Sequence, residues 1–189
     1  MNQAGPASAM VATDARVTVV AIIGAGQAGR RFALRCAVAG FHVVLEDVMP
    51  ANLRRAQDEF FELGGTGNLE VALTVEDAVR GADLAIDFVP DELESKLEIF
   101  CLMDRMAPPK TILLTPSEAL SITDLASCTY RGDRCFAARG DLMGTAVRVL
   151  WPRDASAAAA ELVAGFFRGL GVGVSGEVDS EEPMLVKNL

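Results

Sequence analysis

Short runs of consecutive apolar residues alternate along this chain with longer stretches in which apolar positions recur every three or four residues. The runs at 17–23, 42–46, 69–73, 84–88 and 111–114 are too continuous to leave one face wet, so each reads as a strand covered on both sides. The stretches at 28–39, 50–63, 75–79, 93–106 and 156–170 carry the helical period. Punctuation agrees with this division. Gly40 sits where a helix C-cap glycine belongs, Pro50 opens a helix that Gly64 and Gly65 end, Gly81 closes the short 75–79 helix, and Pro108 and Pro109 stop the next. After a Pro-Ser turn come a short segment at 121–126, strands at 134–138 and 146–151, and a last short strand at 173–175. Strands alternating with helices over short connections predict one α/β domain, a doubly wound, mostly parallel sheet. The domain spans 16–180, between an N-terminal tail at 1–15 and a short C-terminal stub at 181–189.

The first strand runs into Gly24-Ala25-Gly26-Gln27-Ala28-Gly29, with a helix opening inside the motif and Asp47 closing the second strand. A bare G-x-G-x-x-G is weak, but strand before, helix after and acid at the next strand end give it a physical context. The first glycine permits the tight turn, the second lets backbone amides approach a pyrophosphate, and the third lets helix and strand pack closely. The helix N-terminus adds unpaired N–H groups and partial positive charge. Gly24, Gly26, Gln27, Ala28 and Gly29 are therefore candidate dinucleotide contacts in a Rossmann fold. Asp47 would accept hydrogen bonds from an adenosine ribose diol and repel a 2′-phosphate, so NAD is the expected cofactor.

Composition narrows the remaining classes. Half of the 189 residues are hydrophobic, which suits a sheet buried on both faces, yet no apolar stretch approaches the ~20 residues of a membrane span. A net charge of −9 argues against nucleic acid or an anionic membrane as partner. The 1–15 segment has no basic start followed by an apolar core and reads as a tail, not a signal peptide. Cys36, Cys101, Cys128 and Cys135 form no C-x-x-C pair and, with a single histidine, no metal site. Reduced thiols in a cytoplasmic protein are expected.

Five stretches, in order, resemble the NAD-binding domain of the 3-hydroxyacyl-CoA dehydrogenase family. They are 23–29, 43–47, Ala82-Asp83-Leu84-Ala85-Ile86-Asp87 with Leu93-Glu94-Ser95-Lys96, Ala107-Pro108-Pro109, and Leu120-Ser121-Ile122-Thr123. The resemblance covers most of 17–150. It implies NAD binding, oxidoreductase kinship and a link to fatty acid metabolism. It also implies that Asp47 is the ribose-binding acid and that Asp91 and Lys96 lie beside the nicotinamide-side ribose. Phe88, Val89 and Pro90 are expected to line the cofactor cleft at the fourth strand's end. The final Pro183-Met184-Leu185-Val186-Lys187-Asn188 resembles the family's junction with a helical second domain, which the chain is expected to lack. A partner chain, or a second copy, is then expected to complete the cleft. The family's helical hairpin between the second and third strands, which helps hold CoA, is reduced to 50–63 and a glycine-rich turn.

The catalytic residues do not carry over. Arg139 stands at the family's histidine base, Trp151 at the glutamate that orients it, and Glu118 at a substrate-binding serine, with Ser117 next to it as a hydrogen-bond donor. Arginine cannot accept a proton near neutral pH. The one histidine, His42, begins the second strand, away from any nicotinamide. No catalytic residue is assigned. The sequence predicts an NAD(H)-binding protein without the family reaction on its own. An alternative is a divergent oxidoreductase acting on a small carboxylate or carbonyl compound, with Glu118 or Asp141 handling the proton. A third reading is a scaffold with an empty fingerprint. Arg139 is expected to pair with Glu118 and plug the former substrate cleft; the other option is that it faces the cleft unpaired, open to an anion.

Overall fold

A computed structural model describes residues 16–64, 67–180 and 184. The tail at 1–15, Gly65 as a helix end, and Pro183, Leu185, Val186, Lys187 and Asn188 of the junction lie outside the described residues.

Eight strands form one sheet: β1 (Val19–Ile23), β2 (His42–Glu46), β3 (Asn68–Ala72), β4 (Leu84–Asp87), β5 (Ile112–Pro116), β6 (Cys135–Arg139), β7 (Ala146–Trp151) and β8 (Gly173–Val178). Six α-helices connect them: α1 (Gln27–Val38), α2 (Pro50–Leu63), α3 (Val75–Val79), α4 (Leu93–Met106), α5 (Ile122–Ser127) and α6 (Ala157–Gly169). The order across the sheet is β3-β2-β1-β4-β5-β6-β7-β8, with every pair parallel except β6 with β7. The chain starts at the centre, winds to one edge, returns, and winds to the other, so the order reverses between β1 and β4. The doubly wound Rossmann architecture is the one predicted.

Alternation along the strands explains the two layers. Val20 and Ile22 of β1 point into a core shared with Phe32 and Ala33 of α1, Leu53 of α2 and Phe166 of α6. Ala21 and Ile23 point into a second core with Val79 of α3, Phe100 and Met103 of α4, and Leu125 of α5. A strand packed on both faces has no room for polar alternation, which is why the strands read as unbroken apolar runs.

Boundaries shift where side chains capture backbone groups. β1 begins at Val19, not at 17, because the Thr18 and Val19 amides donate to the Asp83 carboxylate, each at 3.0 Å. β6 begins at Cys135 because Gly132–Arg134 form a 3₁₀ turn. β8 runs to Val178, longer than expected, pairing with the whole of β7. Gly176 permits this. A Cβ there would lie 2.4 Å from the Trp151 ring. Among the described residues there is no disulfide, and burial pushes the Cys135 thiol up to about 12.

Candidate functional site

The carboxyl ends of β1, β2 and β4 meet at the point where the strand order reverses, the place where ligands bind in open α/β sheets. Gly24 leaves β1 with a φ of 98°, a conformation that side chains rarely adopt, and its amide donates to the Glu46 carbonyl at 2.9 Å. A Cβ on Gly29 would lie 1.9 Å from the Gly24 carbonyl oxygen and 3.1 Å from Phe88 Cβ, so only glycine lets α1 sit this close to β1 and β4. Gly26 is different. A Cβ there would meet nothing within 4 Å, so this glycine keeps space open where nothing in the fold demands it.

That space lies before α1. Gly26 is its N-cap without a side-chain cap, no acid occupies the first turn, and Gly26, Gln27 and Ala28 are exposed. The first amides of a helix have no intrahelical acceptor, so these face outward with the positive end of the helix dipole. The glycine cradle and uncapped amides fit a pyrophosphate.

Asp47, half-buried, stands beside the cradle. One carboxylate oxygen accepts from the Ala25 amide at 2.8 Å and from the Asn52 side chain at 3.1 Å, the other from the Met49 amide at 2.7 Å. The loop therefore holds the acid at the end of β2, with lone pairs left for a ribose hydroxyl. Its neighbour Glu46 is buried; burial, together with the adjacent Asp47 charge, pushes its carboxyl up, against an opposing hydrogen bond from the Gly24 backbone.

On the other side of the switch point, the Phe88 amide donates to the Ile23 carbonyl at 2.7 Å, and its ring packs 5.5 Å from that of Phe32. Val89 is half-buried, and Pro90 and Asp91 are exposed beyond it, on the loop between β4 and α4. Asp91 accepts from the Glu118 amide at 3.1 Å and so ties this loop to the one after β5.

Lys96 departs from expectation. Its side chain is 1% exposed, with the ammonium 2.6 Å from Asp87 and 2.9 Å from the Pro116 carbonyl, so it serves an internal partner and is not presented to a ribose. Asp87, wholly buried at the end of β4, is the residue that sequence reasoning missed. The signal was an acid closing an otherwise apolar strand one helical stretch before a lysine. Burial pushes the Asp87 carboxyl up, while the charge and hydrogen bond of Lys96 oppose the rise.

The expected Arg139–Glu118 pair is not formed. Glu118 accepts instead from the Gly140 amide at 2.6 Å, capping the end of β6. Arg139 reaches only the Leu120 carbonyl, at 3.3 Å, and its Nε is buried without a partner. Trp151 faces the α1–α6 core and packs 6.3 Å from Phe136. Side-chain alternation puts Arg139 on the opposite face, so the two residues do not meet. Ser117 is buried and accepts from the Leu120 amide at 3.0 Å. His42 lies at the amino end of β2 with Glu70 at 3.3 Å, at the far edge of the sheet.

Fold, switch-point cradle and strand-end acid together define a Rossmann dinucleotide-binding domain. The model of the family described as "3-hydroxyacyl-CoA dehydrogenase, NAD binding domain" matches residues 19–138, and the chain belongs to this family, whose cofactor is NAD. It is 31% identical over 131 residues to a probable 3-hydroxybutyryl-CoA dehydrogenase of Bacillus subtilis, covering 61% of this chain and 45% of that protein. It is 31% identical over 119 residues to a 5-formyl-3-hydroxy-2-methylpyridine 4-carboxylate 5-dehydrogenase of Mesorhizobium japonicum, covering 56% of this chain and 38% of that one. The chain thus spans less than half the length of these curated relatives. Among solved structures, that of 3-hydroxybutyryl-CoA dehydrogenase from Escherichia coli K12 superposes with a TM-score of 0.78 at 23% identity, covering 87% of this chain and 39% of that one. A diketoreductase structure gives 0.77 at 25% identity, covering 89% and 66%.

Proposed function

We propose that this chain binds NAD(H) at the carboxyl edge of β1, β2 and β4 and does not carry out the hydroxyacyl oxidation of its family with its own residues. The observation that carries the proposal is Arg139, which stands where the resemblance puts the proton acceptor. A guanidinium has no lone pair to take the hydroxyl proton, and its pKa lies above ~12. Among the described residues the other candidates are engaged elsewhere: His42 is at the amino edge, Trp151 is on the other face, Glu118 accepts from the Gly140 amide and Asp141 from the Met143 amide.

Bound NAD supplies a nicotinamide that accepts or gives a hydride. The chain's own residues bind and orient: the amides of Gln27, Ala28 and Gly29 take the pyrophosphate, and Asp47 takes the adenosine ribose diol. Asp47 also makes a 2′-phosphate costly, by at least ~1.4 kcal/mol or a tenfold preference for NADH over NADPH. The 89–91 loop would hold the nicotinamide end, and a partner chain or second copy would complete the cleft there.

Two assays with the purified chain test the proposal. Calorimetric titration is expected to show NADH binding at least tenfold tighter than NADPH. Incubation with NAD and 3-hydroxybutyryl-CoA is expected to give no NADH absorbance above background, since loss of a positioned base alone costs a factor of about 10²–10⁴. Turnover at rates typical of dehydrogenases, or NADPH binding as tight as NADH, would overturn it.

A further inference from the structure

The carboxyl edge carries a second polar group of residues, outside the glycine cradle and on the α4–α5 face. Alternation along β6 puts Arg139 on the face of Cys135 and Ala137, and its cross-strand partner on β7 is Arg148. Residues directly opposite on an antiparallel pair project to the same side, and like charges there are destabilising. Arg148 is half-exposed and turns to Glu177 on β8, 3.5 Å away. Arg139 has no acid within ion-pair distance among the described residues.

A guanidinium carries five N–H donors. Other partly buried arginines of this protein have acceptors for them. Arg131 is held by the Asp104 side chain and by the carbonyls of Asp104, Ala107 and Pro108. Arg35 reaches the carbonyls of Leu142, Gly144 and Leu170, and Arg30 pairs with Glu59. Arg139 has one carbonyl at 3.3 Å, and its buried Nε has nothing. A donor withdrawn from water without an acceptor costs stability, and the Nη groups, with a single carbonyl between them, keep donors to spare for an anionic ligand.

We infer that Arg139 anchors a carboxylate-binding subsite next to the cofactor cleft. The inference rests on the dinucleotide reading of that cleft. The guanidinium lies one loop away from it: the Ser117 amide donates to the Ala138 carbonyl at 3.2 Å, and the Glu118 amide to Asp91 of the 89–91 loop. A small molecule with its reacting carbon over that loop can rest a carboxylate on Arg139. The planar guanidinium offers an N–H from each Nη side by side, the geometry of bidentate carboxylate binding. A nearby acid sets the charge of the ligand: Glu118 caps Gly140, the residue after Arg139. With Glu118 on the amide next to Arg139, and Arg148 already paired with Glu177, a monoanion is favoured over a dianionic phosphate.

The test uses the full chain loaded with NADH and ligand-observed NMR. The probes are acetoacetate, its uncharged methyl ester, and inorganic phosphate. Acetoacetate is expected to bind the native chain, and at least tenfold more weakly to Arg139→Met, with NADH affinity unchanged within twofold. Arg139→Lys keeps the charge without the fork, is expected to bind at an intermediate level, and serves if the Met variant does not fold. The ester is expected to bind neither form, and phosphate more weakly than acetoacetate. Equal acetoacetate binding with and without Arg139, no acetoacetate binding, an ester that binds as well, or tighter phosphate overturns the subsite. Should NADH fail to bind while acetoacetate binding still depends on Arg139, the dinucleotide reading falls and the subsite stands.

Discussion

Replacing Lys96 with methionine separates an internal role for this lysine from a cofactor contact. In the native chain its ammonium and the Asp87 carboxylate are 1% and 0% exposed and 2.6 Å apart, with the Pro116 carbonyl as a second acceptor. Methionine keeps much of the apolar stem but removes the charge, leaving Asp87 buried with one oxygen already unpartnered. Removing one side of such a pair costs about 3–5 kcal/mol, since the remaining buried charge loses its counter-ion and keeps only the Thr115 hydroxyl and the Val89 amide beside it. Protonation of Asp87 limits the loss without cancelling it, because burial already pushes this carboxyl up and Lys96 is what opposes the rise. For a domain of this size each kcal/mol moves the melting temperature by roughly 2–4 °C, so the expected fall is about 6–20 °C. Thermal unfolding followed by circular dichroism reads it. The double variant Lys96→Met with Asp87→Val is expected to recover a large part, since apolar replacement of both partners is often nearly neutral. A melting temperature within about 1 °C of the native value, with NADH affinity lost instead, would refute the internal pair and return Lys96 to the ribose.

Two further changes probe the frame of the site. Gly29→Ala is expected to cost about 3 kcal/mol in urea unfolding, because the added Cβ would lie 1.9 Å from the Gly24 carbonyl and neither backbone can give way cheaply; an unchanged urea midpoint would contradict the packing. Asp83 sets a pH dependence: burial pushes its carboxyl up, but hydrogen bonds from Lys110, the Val19 and Thr18 amides and the Thr18 hydroxyl outweigh burial and hold it at about 2, against 3.8 ordinarily. A depressed carboxyl stabilises the fold above its unfolded pKa and loses that contribution as pH falls from about 4 to 2, here about 1–2 kcal/mol after solvent screening. Asp83→Asn is expected to flatten this part of the stability profile, and equal acid sensitivity in both forms would refute the assignment.

The parts legible in the sequence are those with a local cause. Apolar runs identify β1, β2 and β4 because both faces of the sheet are covered, and the glycine spacing identifies the cradle because Gly24 and Gly29 answer backbone requirements while Gly26 leaves open space between them. His42–Glu46, Pro50–Leu63, Val75–Val79, Leu93–Met106 and Ala146–Trp151 keep the bounds that their capping and period predict. What stayed hidden depends on side-chain partners distant in sequence or on pairing between strands. The preference of Lys96 for Asp87, the choice of Glu118 for the Gly140 amide over Arg139, and the capture of the Thr18 amide by Asp83 are each settled only when strands lie side by side. The sequence predicts β8 too short because Gly-Val-Ser-Gly-Glu-Val has little strand character alone. Its pairing with β7, and the space Gly176 leaves for Trp151, extend it.

On the proposed function, the open space at Gly26 is kept for a pyrophosphate. NADH titration of Gly26→Val beside the native chain, with melting curves for both, tests it most directly. Nothing lies within 4 Å of the added Cβ, so the fold should tolerate the change while the side chain fills the approach to the α1 amides. An unchanged melting temperature with NADH affinity at least tenfold weaker is expected; a variant that binds NADH as tightly as the native chain would show that this space does not serve the dinucleotide.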